Sequence, residues 1–565
     1  MEPSDEKDGR SQPEIFPIPL RLFENPEGYG GEIVLMKFTK APMVCAMFGM
    51  ACSAVALAGP AAAEDITIGV ASEATSVDPH FHNLGPNNQL GFMIYDRLAN
   101  PDERQNFKPG LAVSWKPINP TTWEFKLREG VKFHDGTDFN ADDVICTFER
   151  APNVPNSPAG FSTYTKGKSF EKIDDYTVHV KTEAPYPLMV NDLGNVAIIS
   201  NEGGCNGTTE EFNSGKAAAG TGPFKFVEYV PGDRIVLEGN DDYWGDKPIW
   251  DTVTLKPIKS GPSRVAALLA GDVDVISGVP TTDIETLKAR DDVTLSQGVS
   301  NRVIYLHIDQ FRENSPFVKA NGGGDIKNPL MDQKVRLAIS KAISRELIRD
   351  RVMEGLSIPA GQLLPEGFFG VSENLKPEPY DPEGAKALLA EAGVPDGFEL
   401  TIHGPNDRYV NDAKIVEGIA QMLNRVGIKA QVETLPRSVY FSRASTGADG
   451  LPEFSLILVG WGAGSGEASS PLRALIATFD KDKGMGTANR GRYSNPEVDA
   501  VIEEALAEVD DAKRQDLLAK ATEMAIADLA IIPIHYQVNT WASRKGLSYI
   551  PRTDEYTVAY GVVKD

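Results

Sequence analysis

The chain has few cysteines and histidines and no cluster of either. Its 565 residues include four Cys and seven His. Structural metal sites usually draw several of these residues from closely spaced motifs, such as paired Cys or His-x-x-x-His. No such spacing occurs here, so we expect no metal site and no cofactor.

The chain also lacks a basic run and the local motifs of common enzymes. Its net charge is −24, and phosphate binding depends on Lys and Arg, so no nucleic acid partner is expected. Neither a Gly-x-Ser-x-Gly nucleophile motif nor a glycine-rich phosphate loop is present. We therefore expect no catalytic residues, and the acidity indicates solubility.

One long apolar run stands near the start, at residues 41–58. Two lysines precede it, and Ala61 and Ala63 supply the small residues that a signal peptidase accepts. This pattern predicts a secretory signal peptide over residues 36–63. A membrane anchor and lipid attachment at Cys52 are the alternatives.

Residues 1–35 are acidic and Pro-rich and have no apolar core. We interpret them as an upstream extension that is not translated, with Met36 as the true start; a disordered extension is the alternative. Without residues 1–63, about 500 residues remain, which exceeds one hydrophobic core and suits two or three lobes.

Two segments carry clear secondary-structure patterns. Trp123, Phe125 and Leu127 alternate with charged residues, which predicts a strand that forms a hairpin with residues 131–133. Asn140 then precedes two acidic residues in the position of a helix N-cap.

A second pattern begins near residue 398. Residues 398–402 read as a strand, a helix begins at Asn411 or Asp412, and residues 428–432 form the next strand. Such a crossover makes the two strands parallel, and the apolar run 454–459 is typical of a buried strand in the same sheet. The second half of the chain is therefore an α/β lobe.

The amino-acid sequence of residues 122–144 resembles a signature of the family 5 extracellular solute-binding proteins that serve peptide and nickel ABC importers. The resemblance covers nearly all of the chain after residue 64. Further matching motifs are Val77-Asp78-Pro79-His80, Tyr95-Asp96-Arg97-Leu98, Gly220-Thr221-Gly222-Pro223-Phe224, Asp242-Tyr243-Trp244-Gly245 and Ile532-Pro533-Ile534-His535-Tyr536.

The resemblance implies an α/β fold with two lobes, that of a class II, cluster C periplasmic binding protein with a small extra subdomain in the first lobe. We expect lobe I at residues 64–305, including the subdomain at about 100–215. Lobe II is expected at 306–533, and the chain returns to lobe I at 534–565.

The implied function is that of a monomeric periplasmic protein of an ABC importer. Its partners would be a small-molecule or peptide ligand and the permease subunits in the inner membrane. The lobes would close around a peptide or peptide-like solute and deliver it to the permease. It would not be an enzyme; a secreted hydrolase or a periplasmic chaperone is a remote alternative.

Ligands in open parallel sheets bind beyond the carboxyl ends of the strands, where two loops of this chain lie. Arg408 offers a permanently charged fork for a carboxylate, and Trp461 offers a face for stacking. The candidate ligand-binding residues are Arg408, Tyr409, Trp461, Gly464, Ser465 and Glu467.

Gly464 is a departure from the family pattern. The resemblance implies that peptide-binding relatives hold the ligand's α-ammonium with an Asp at this position, and a buried ammonium without a counter-charge is costly. Either Glu467 replaces that Asp, or the ligand lacks the amine. The second case predicts an acidic, sugar-linked or opine-like molecule, or a metal chelate.

Two further features stay open at this point. His80 and His82 could share one side of an extended segment and bind nickel, although polar loop histidines are the simpler interpretation. Cys146 and Cys205 remain after removal of the signal peptide, and they either form a disulfide or stay as free thiols.

Overall fold

The computed structural model describes residues 64–447 and 449–565. The predicted extension at 1–35 and the predicted signal peptide at 36–63 lie outside these described residues, as does Cys52. Within the described ranges, no helix is both long and apolar enough to span a membrane.

The strands in the described part of the chain are β1 Asp65–Val70, β2 Ala99–Pro101, β3 Phe107–Pro109, β4 Ala112–Asn119, β5 Thr122–Leu127, β6 Lys168–Asp174, β7 Thr177–Thr182, β8 Phe224–Val230, β9 Arg234–Gly239, β10 Thr252–Pro257, β11 Val275–Ser277, β12 Val293–Ile308, β13 Val318–Lys319, β14 Ser357–Pro359, β15 Glu399–Pro405, β16 Lys429–Leu435, β17 Leu456–Gly462, β18 Ile532–Arg544, β19 Leu547–Tyr549 and β20 Val562–Lys564.

The α-helices there are α1 Gly85–Ile94, α2 Ala141–Arg150, α3 Ser162–Thr165, α4 Met189–Leu193, α5 Thr209–Asn213, α6 Gly261–Ala270, α7 Ile284–Lys288, α8 Gln333–Ala342, α9 Arg345–Leu347, α10 Pro382–Glu391, α11 Asp412–Arg425, α12 Arg437–Ser445, α13 Ser469–Pro471, α14 Pro496–Ala507 and α15 Asp511–Ala527.

A 12-stranded sheet runs through both halves of the protein, in the order β13-β15-β17-β12-β18-β11-β1-β10-β9-β8, with β14 on β18 and β16 on β15. We call the half that contains β1 and β8–β11 lobe I, and the half that contains β13 and β15–β17 lobe II. The antiparallel strands β12 and β18 belong to both halves, pairing from Val293 and Arg544 to Leu306 and Ile532.

The predicted strand-helix-strand unit is confirmed. β15 and β16 pair in parallel from Glu399 to Pro405, and α11 connects them. On β17, Leu456 and Leu458 pack into one hydrophobic core of lobe II, while Ile457 and Val459 pack into the other. Successive side chains of a strand point to opposite faces, so helices and loops cover both faces of this half of the sheet.

The predicted lobe boundaries at 305 and 533 fall inside β12 and β18 rather than in loops. Along β12, Leu295 packs against a core of lobe I and Val303 belongs to a core of lobe II. Along β18, the same change occurs between Tyr536 and Val538. The chain thus crosses between the lobes as extended strand.

A separate four-stranded sheet, β4-β5-β7-β6, lies within residues 112–182 and has its own core. It corrects the predicted hairpin, because β5 pairs with β4 and β7 while Lys132 forms only an isolated bridge with Asp138. The helix prediction is confirmed: Asn140 caps α2 in a reciprocal capping box with Asp143.

A disulfide joins Cys146 of α2 to Cys205, with 5.8 Å between the two Cα atoms. Cys146 packs into the core of lobe I, whereas Val144 and Phe148 of the same helix pack into the core of the small sheet. The disulfide therefore lies where the two cores meet, and it decides the alternative that the sequence left open.

Candidate functional site

A cleft of about 1530 Å³ lies between the two lobes. Most of its lining comes from lobe I and the C-terminal segment, including Phe92, Gln105, Tyr229, Trp541 and Tyr556. Lobe II contributes a smaller and more charged part. The volume exceeds the roughly 300–1,000 Å³ of typical small-molecule pockets, so the cleft can hold a ligand larger than a single amino acid.

Arg408 enters the cleft from the loop between β15 and α11. Asp412 shapes this loop, because its Oδ2 accepts hydrogen bonds from the backbone N–H groups of Arg408 and Tyr409, both at 2.9 Å. Asn411 precedes α11 with a left-handed backbone, at φ 54°. The turn therefore directs Arg408 away from the core of lobe II and into the cleft.

The Arg408 guanidinium forms no ion pair with any acidic residue in the described part of the chain, and it lies 5.0 Å from the centre of the Tyr409 ring. The side chain reaches water in the cleft, but the protein around it removes part of its hydration. This partial desolvation is the main reason that the pKa of Arg408 is lowered, and the positive charge of Arg302 adds to the effect. An anion bound here would relieve both effects.

Arg302 of β12 lies beside it and is paired with Glu555. Its Nε donates to Glu555 Oε1 at 3.0 Å and its Nη2 to Oε2 at 2.9 Å. Ser300 and Gln537 also donate to Oε1, at 2.7 and 3.0 Å. Burial alone would raise the pKa of Glu555, but Arg302, the Ser300 hydroxyl and the charge of Arg408 outweigh it, and the pKa is lowered. Glu555 is therefore ionised at neutral pH.

Two residues in this part of the cleft have a left-handed backbone conformation, which is unusual for residues other than glycine. The φ angles are 63° at Gln105 and 70° at Glu555. Such conformations cost free energy and are retained where surrounding contacts determine them, often at binding sites. Here Glu555 has four hydrogen bonds to hold it, and Gln105 Oε1 accepts a bond from Asn301 at 2.7 Å.

Of the six residues predicted from sequence, Arg408 and Gly464 line the cleft. Tyr409 is buried in a core of lobe II and donates its hydroxyl to the Gly460 carbonyl at 3.1 Å. Trp461 is half-buried against the other core and donates to Ser470 Oγ at 3.2 Å. Both tyrosine and tryptophan therefore support the loops rather than line the cleft.

Glu467, which the sequence left open as a replacement for the missing Asp, also lies outside the cleft lining. It is buried, forms an ion pair with Arg514 of α15, and accepts a hydrogen bond from Ser469. Because only 5% of the Glu467 side chain is exposed and its partner is buried as well, a ligand ammonium could reach this carboxylate only by breaking the pair. Of the two alternatives that the sequence left open, this placement does not favour Glu467 as the replacement for the Asp.

The loop that carries Gly464 is bonded on one side to β12 and on the other to α4 of lobe I. The Ala463 carbonyl accepts from Asn301 Nδ2 at 3.0 Å, and the Ser465 carbonyl accepts from Asn191 Nδ2 at 2.8 Å. Ser465 Oγ is buried and has no hydrogen-bond partner among the described residues. Gly464 itself is exposed, and a Cβ added there would meet no heavy atom within 4 Å.

Sequence reasoning missed Arg302 and Glu555. The one available signal was a polar pair, Asn301-Arg302, directly before the apolar run 303–306. Nothing in the sequence connects that pair with Glu555, which lies 253 residues away.

The histidines that raised the possibility of nickel binding do not form a site. His80 is buried, with Nε2 at 2.8 Å from the Ala197 carbonyl and Nδ1 at 3.1 Å from Arg150, and burial lowers its pKa to about 4. His82 Nδ1 lies 3.0 Å from Thr75 Oγ1. Across residues 64–447 and 449–565, no group of three or more His, Cys, Asp or Glu is arranged to hold a metal ion.

Comparison with known proteins identifies relatives for most of the chain. The family described as bacterial extracellular solute-binding proteins, family 5 Middle, matches residues 106–483. The glutathione-binding protein GsiB of Pectobacterium atrosepticum is 29% identical over 474 residues, which cover 83% of this chain and 87% of that protein.

Two solved structures share the fold. HbpA2 from Haemophilus parasuis is 25% identical with a TM-score of 0.76, covering 89% of this chain and 100% of that one. The periplasmic binding protein DppA from Helicobacter pylori, in complex with the peptide STSA, is 24% identical with a TM-score of 0.70, covering 88% and 98%. The predicted two-lobed α/β fold is confirmed.

Proposed function

Because the chain belongs to the bacterial extracellular solute-binding proteins of family 5, we propose that it is the periplasmic solute-binding component of an ABC importer. It takes up a peptide-like solute in the cleft and presents it to permease subunits in the inner membrane. It acts as a monomer, binds no nucleic acid and leaves the solute chemically unchanged. The family description and the names of the relatives support this role.

The observation that carries the proposal is the Arg408 guanidinium in a cleft between two lobes, where it has no ion-pair partner among the described residues. A carboxylate of the solute accepts two hydrogen bonds from this fork, a geometry that arginine suits better than lysine. Since both lobes line the cleft, the solute contacts both and favours the conformation in which they approach each other. Differential affinity for that conformation then drives closure.

The strands β12 and β18 provide the connection for this movement. They cross between the lobes as a pair, and their register shifts between Val299 and Val303. An interruption of the ladder leaves backbone groups less constrained than in a regular sheet. We place the hinge of the closing motion at this shift.

A specific observation favours an acidic solute without a free peptide N-terminus as the second candidate. Gly464 has no side chain, and Glu467 is paired with Arg514, so neither offers a counter-charge for an ammonium at the position where the resembled peptide binders have one. Acidic, sugar-linked or opine-like molecules would not need it.

The test is calorimetric binding combined with native mass spectrometry of protein purified directly from cells. We expect a co-purified solute of fixed mass that carries a carboxylate. Arg408→Ala should weaken binding of that solute about 10- to 100-fold, since a hydrogen bond to a charged group contributes roughly 1.5–3 kcal/mol.

Arg425→Ala is the matched control, because Arg425 is exposed at the end of α11 and outside the cleft lining. Equal affinity of wild type and Arg408→Ala would remove Arg408 from the site. Protein that never carries or binds any small solute would contradict the proposed function itself.

A further inference from the structure

We propose that Arg302, Arg408 and Glu555 together recognise an α-amino acid head group, in which an ammonium and a carboxylate stand on the same carbon atom. This inference rests on the proposed function and names the class of solute. It selects free amino acid derivatives and peptides linked through a side chain over ordinary α-linked peptides.

The first step is the grouping of charged side chains around Tyr409 in the cleft. The guanidiniums of Arg302 and Arg408 lie 6.0 and 5.0 Å from the centre of one ring, that of Tyr409. Glu555 is in direct contact with Arg302, and Glu555 and Arg408 both line the cleft. Positive and negative groups therefore line the same part of the cleft, and a ligand whose own opposite charges are close together matches this arrangement best.

An ordinary peptide does not meet this condition. Its free ammonium and free carboxylate lie at opposite ends of the chain, and each added residue separates them by roughly 3.3–3.6 Å. An α-amino acid head group has both charges on one carbon. The head group is thus suited to place its carboxylate on Arg408 and its ammonium on Glu555 at the same time.

The second step is that both members of the Arg302–Glu555 pair retain bonding capacity. Glu555 Oε2 accepts a single hydrogen bond, from Arg302 Nη2, and a carboxylate oxygen has two lone pairs. Arg302 Nη1 donates no hydrogen bond to any described residue, since Nε and Nη2 make the contacts to Glu555. The two side chains keep 14% and 25% of their surface exposed, so both can reach a solute.

The third step is a donor without an acceptor in the same region. Asn539 of β18 lines the cleft two residues after Gln537, which bonds to Glu555. The Asn539 side-chain oxygen accepts from Gln537 at 3.0 Å, while its Nδ2 is buried and has no partner in the described ranges. Buried donors are normally satisfied, so this unpartnered donor, next to the residues that hold Glu555, is a second feature of the region that a bound solute would explain.

With the head group in place, the charges alternate in sign around it. Arg408 and Arg302 Nη1 face the carboxylate, and Glu555 Oε2 faces the ammonium. Glu555 thereby supplies the counter-charge that Gly464 does not. The remainder of the solute extends into the cleft, whose volume of about 1530 Å³ far exceeds that of the head group.

The test compares two isomers of equal mass and charge, γ-glutamyl-alanine and α-glutamyl-alanine, by calorimetry on the full exported protein. In the γ isomer the free ammonium and a free carboxylate share one carbon; in the α isomer they do not. We expect the γ isomer to bind at least about tenfold more tightly, the factor that corresponds to about 1.4 kcal/mol. Glu555→Gln should remove most of this preference.

Wild-type protein alone can overturn the inference, so the result does not depend on how the variant folds. Equal affinities, tighter binding of the α isomer, or binding of neither isomer would each refute it. The proposed function fails separately, when native mass spectrometry finds no solute at all. A preference for the γ isomer that survives in correctly folded Glu555→Gln would also overturn the role of Glu555.

Discussion

Substitution of Gly464 by Asp tests whether the missing counter-charge limits binding of ordinary peptides. Gly464 is exposed in the cleft, a Cβ there meets no heavy atom within 4 Å, and its φ is not in the left-handed region. The backbone therefore accepts an aspartate without strain. We expect the fold and its thermal stability to stay unchanged, since no packing is disturbed.

The gain in affinity follows from the distance and the surroundings of the new carboxylate. Two opposite charges 4 Å apart attract by about 4 kcal/mol at an effective dielectric constant of 20, and by about 1 kcal/mol in water. Because Gly464 faces cleft solvent, the value lies toward the lower end. A gain of about 1.4 kcal/mol corresponds to about tenfold tighter binding of α-linked dipeptides.

The assay is titration calorimetry with an α-linked dipeptide and its N-acetylated form. Gly464→Asn is the matched control, because it has nearly the same shape and no charge. We expect Gly464→Asp to strengthen binding of the free dipeptide alone, and salt to weaken that gain through screening. If the acetylated dipeptide gains equally, or if Gly464→Asn has the same effect, the electrostatic reasoning is refuted.

Three further predictions concern stability. Replacing Cys146 and Cys205 by Ser should lower the free energy of unfolding by about 2–4 kcal/mol, since the disulfide closes a long loop in the unfolded chain. Denaturant unfolding measures this free energy, and reduced wild-type protein is the control. Glu467→Gln should lower the stability by up to about 3–5 kcal/mol, because the buried Arg514 loses its partner, while the ratio of affinities for free and acetylated dipeptides stays constant. Because the pKa of Glu555 is lowered from its ordinary value of 4.5, its contribution to stability is present above that pH and disappears as the pH falls through the lowered pKa. Wild type should therefore lose more stability than Glu555→Gln on acidification below about pH 4.5. Equal losses of unfolding free energy in the two proteins over this pH range would contradict the prediction.

Much of the fold was predictable because its signals are local. The β15-α11-β16 unit follows from apolar periodicity and helix-start residues, and α10 begins at Pro382 with Asp381 as its N-cap, as such a Pro indicates. Arg408 enters the cleft because it follows a parallel strand at the edge where ligands gather. In each case the relevant partners lie within a few residues of one another.

Strand pairing and side-chain partners were less predictable. The alternation at 122–127 indicated a strand but not its neighbours, and β5 pairs with β7, about fifty residues later, rather than with the adjacent segment. Glu467 looked available in the sequence because Arg514, which neutralises it, is 47 residues away. Periodicity records which face of an element is apolar, and it carries no information on which distant element covers that face.

The amino-acid sequence alone therefore determined the α/β class, the two-lobed family and the position of an arginine loop at the carboxyl ends of the parallel strands. The tertiary structure decided which charged side chains already have a partner within the protein. Glu467 forms an ion pair with Arg514. Arg302 forms one with Glu555, which is 253 residues away in the sequence, and this pair lines the cleft together with Arg408. The physical reason is that a charge acts through distance in space, and folding brings together groups that the sequence keeps far apart.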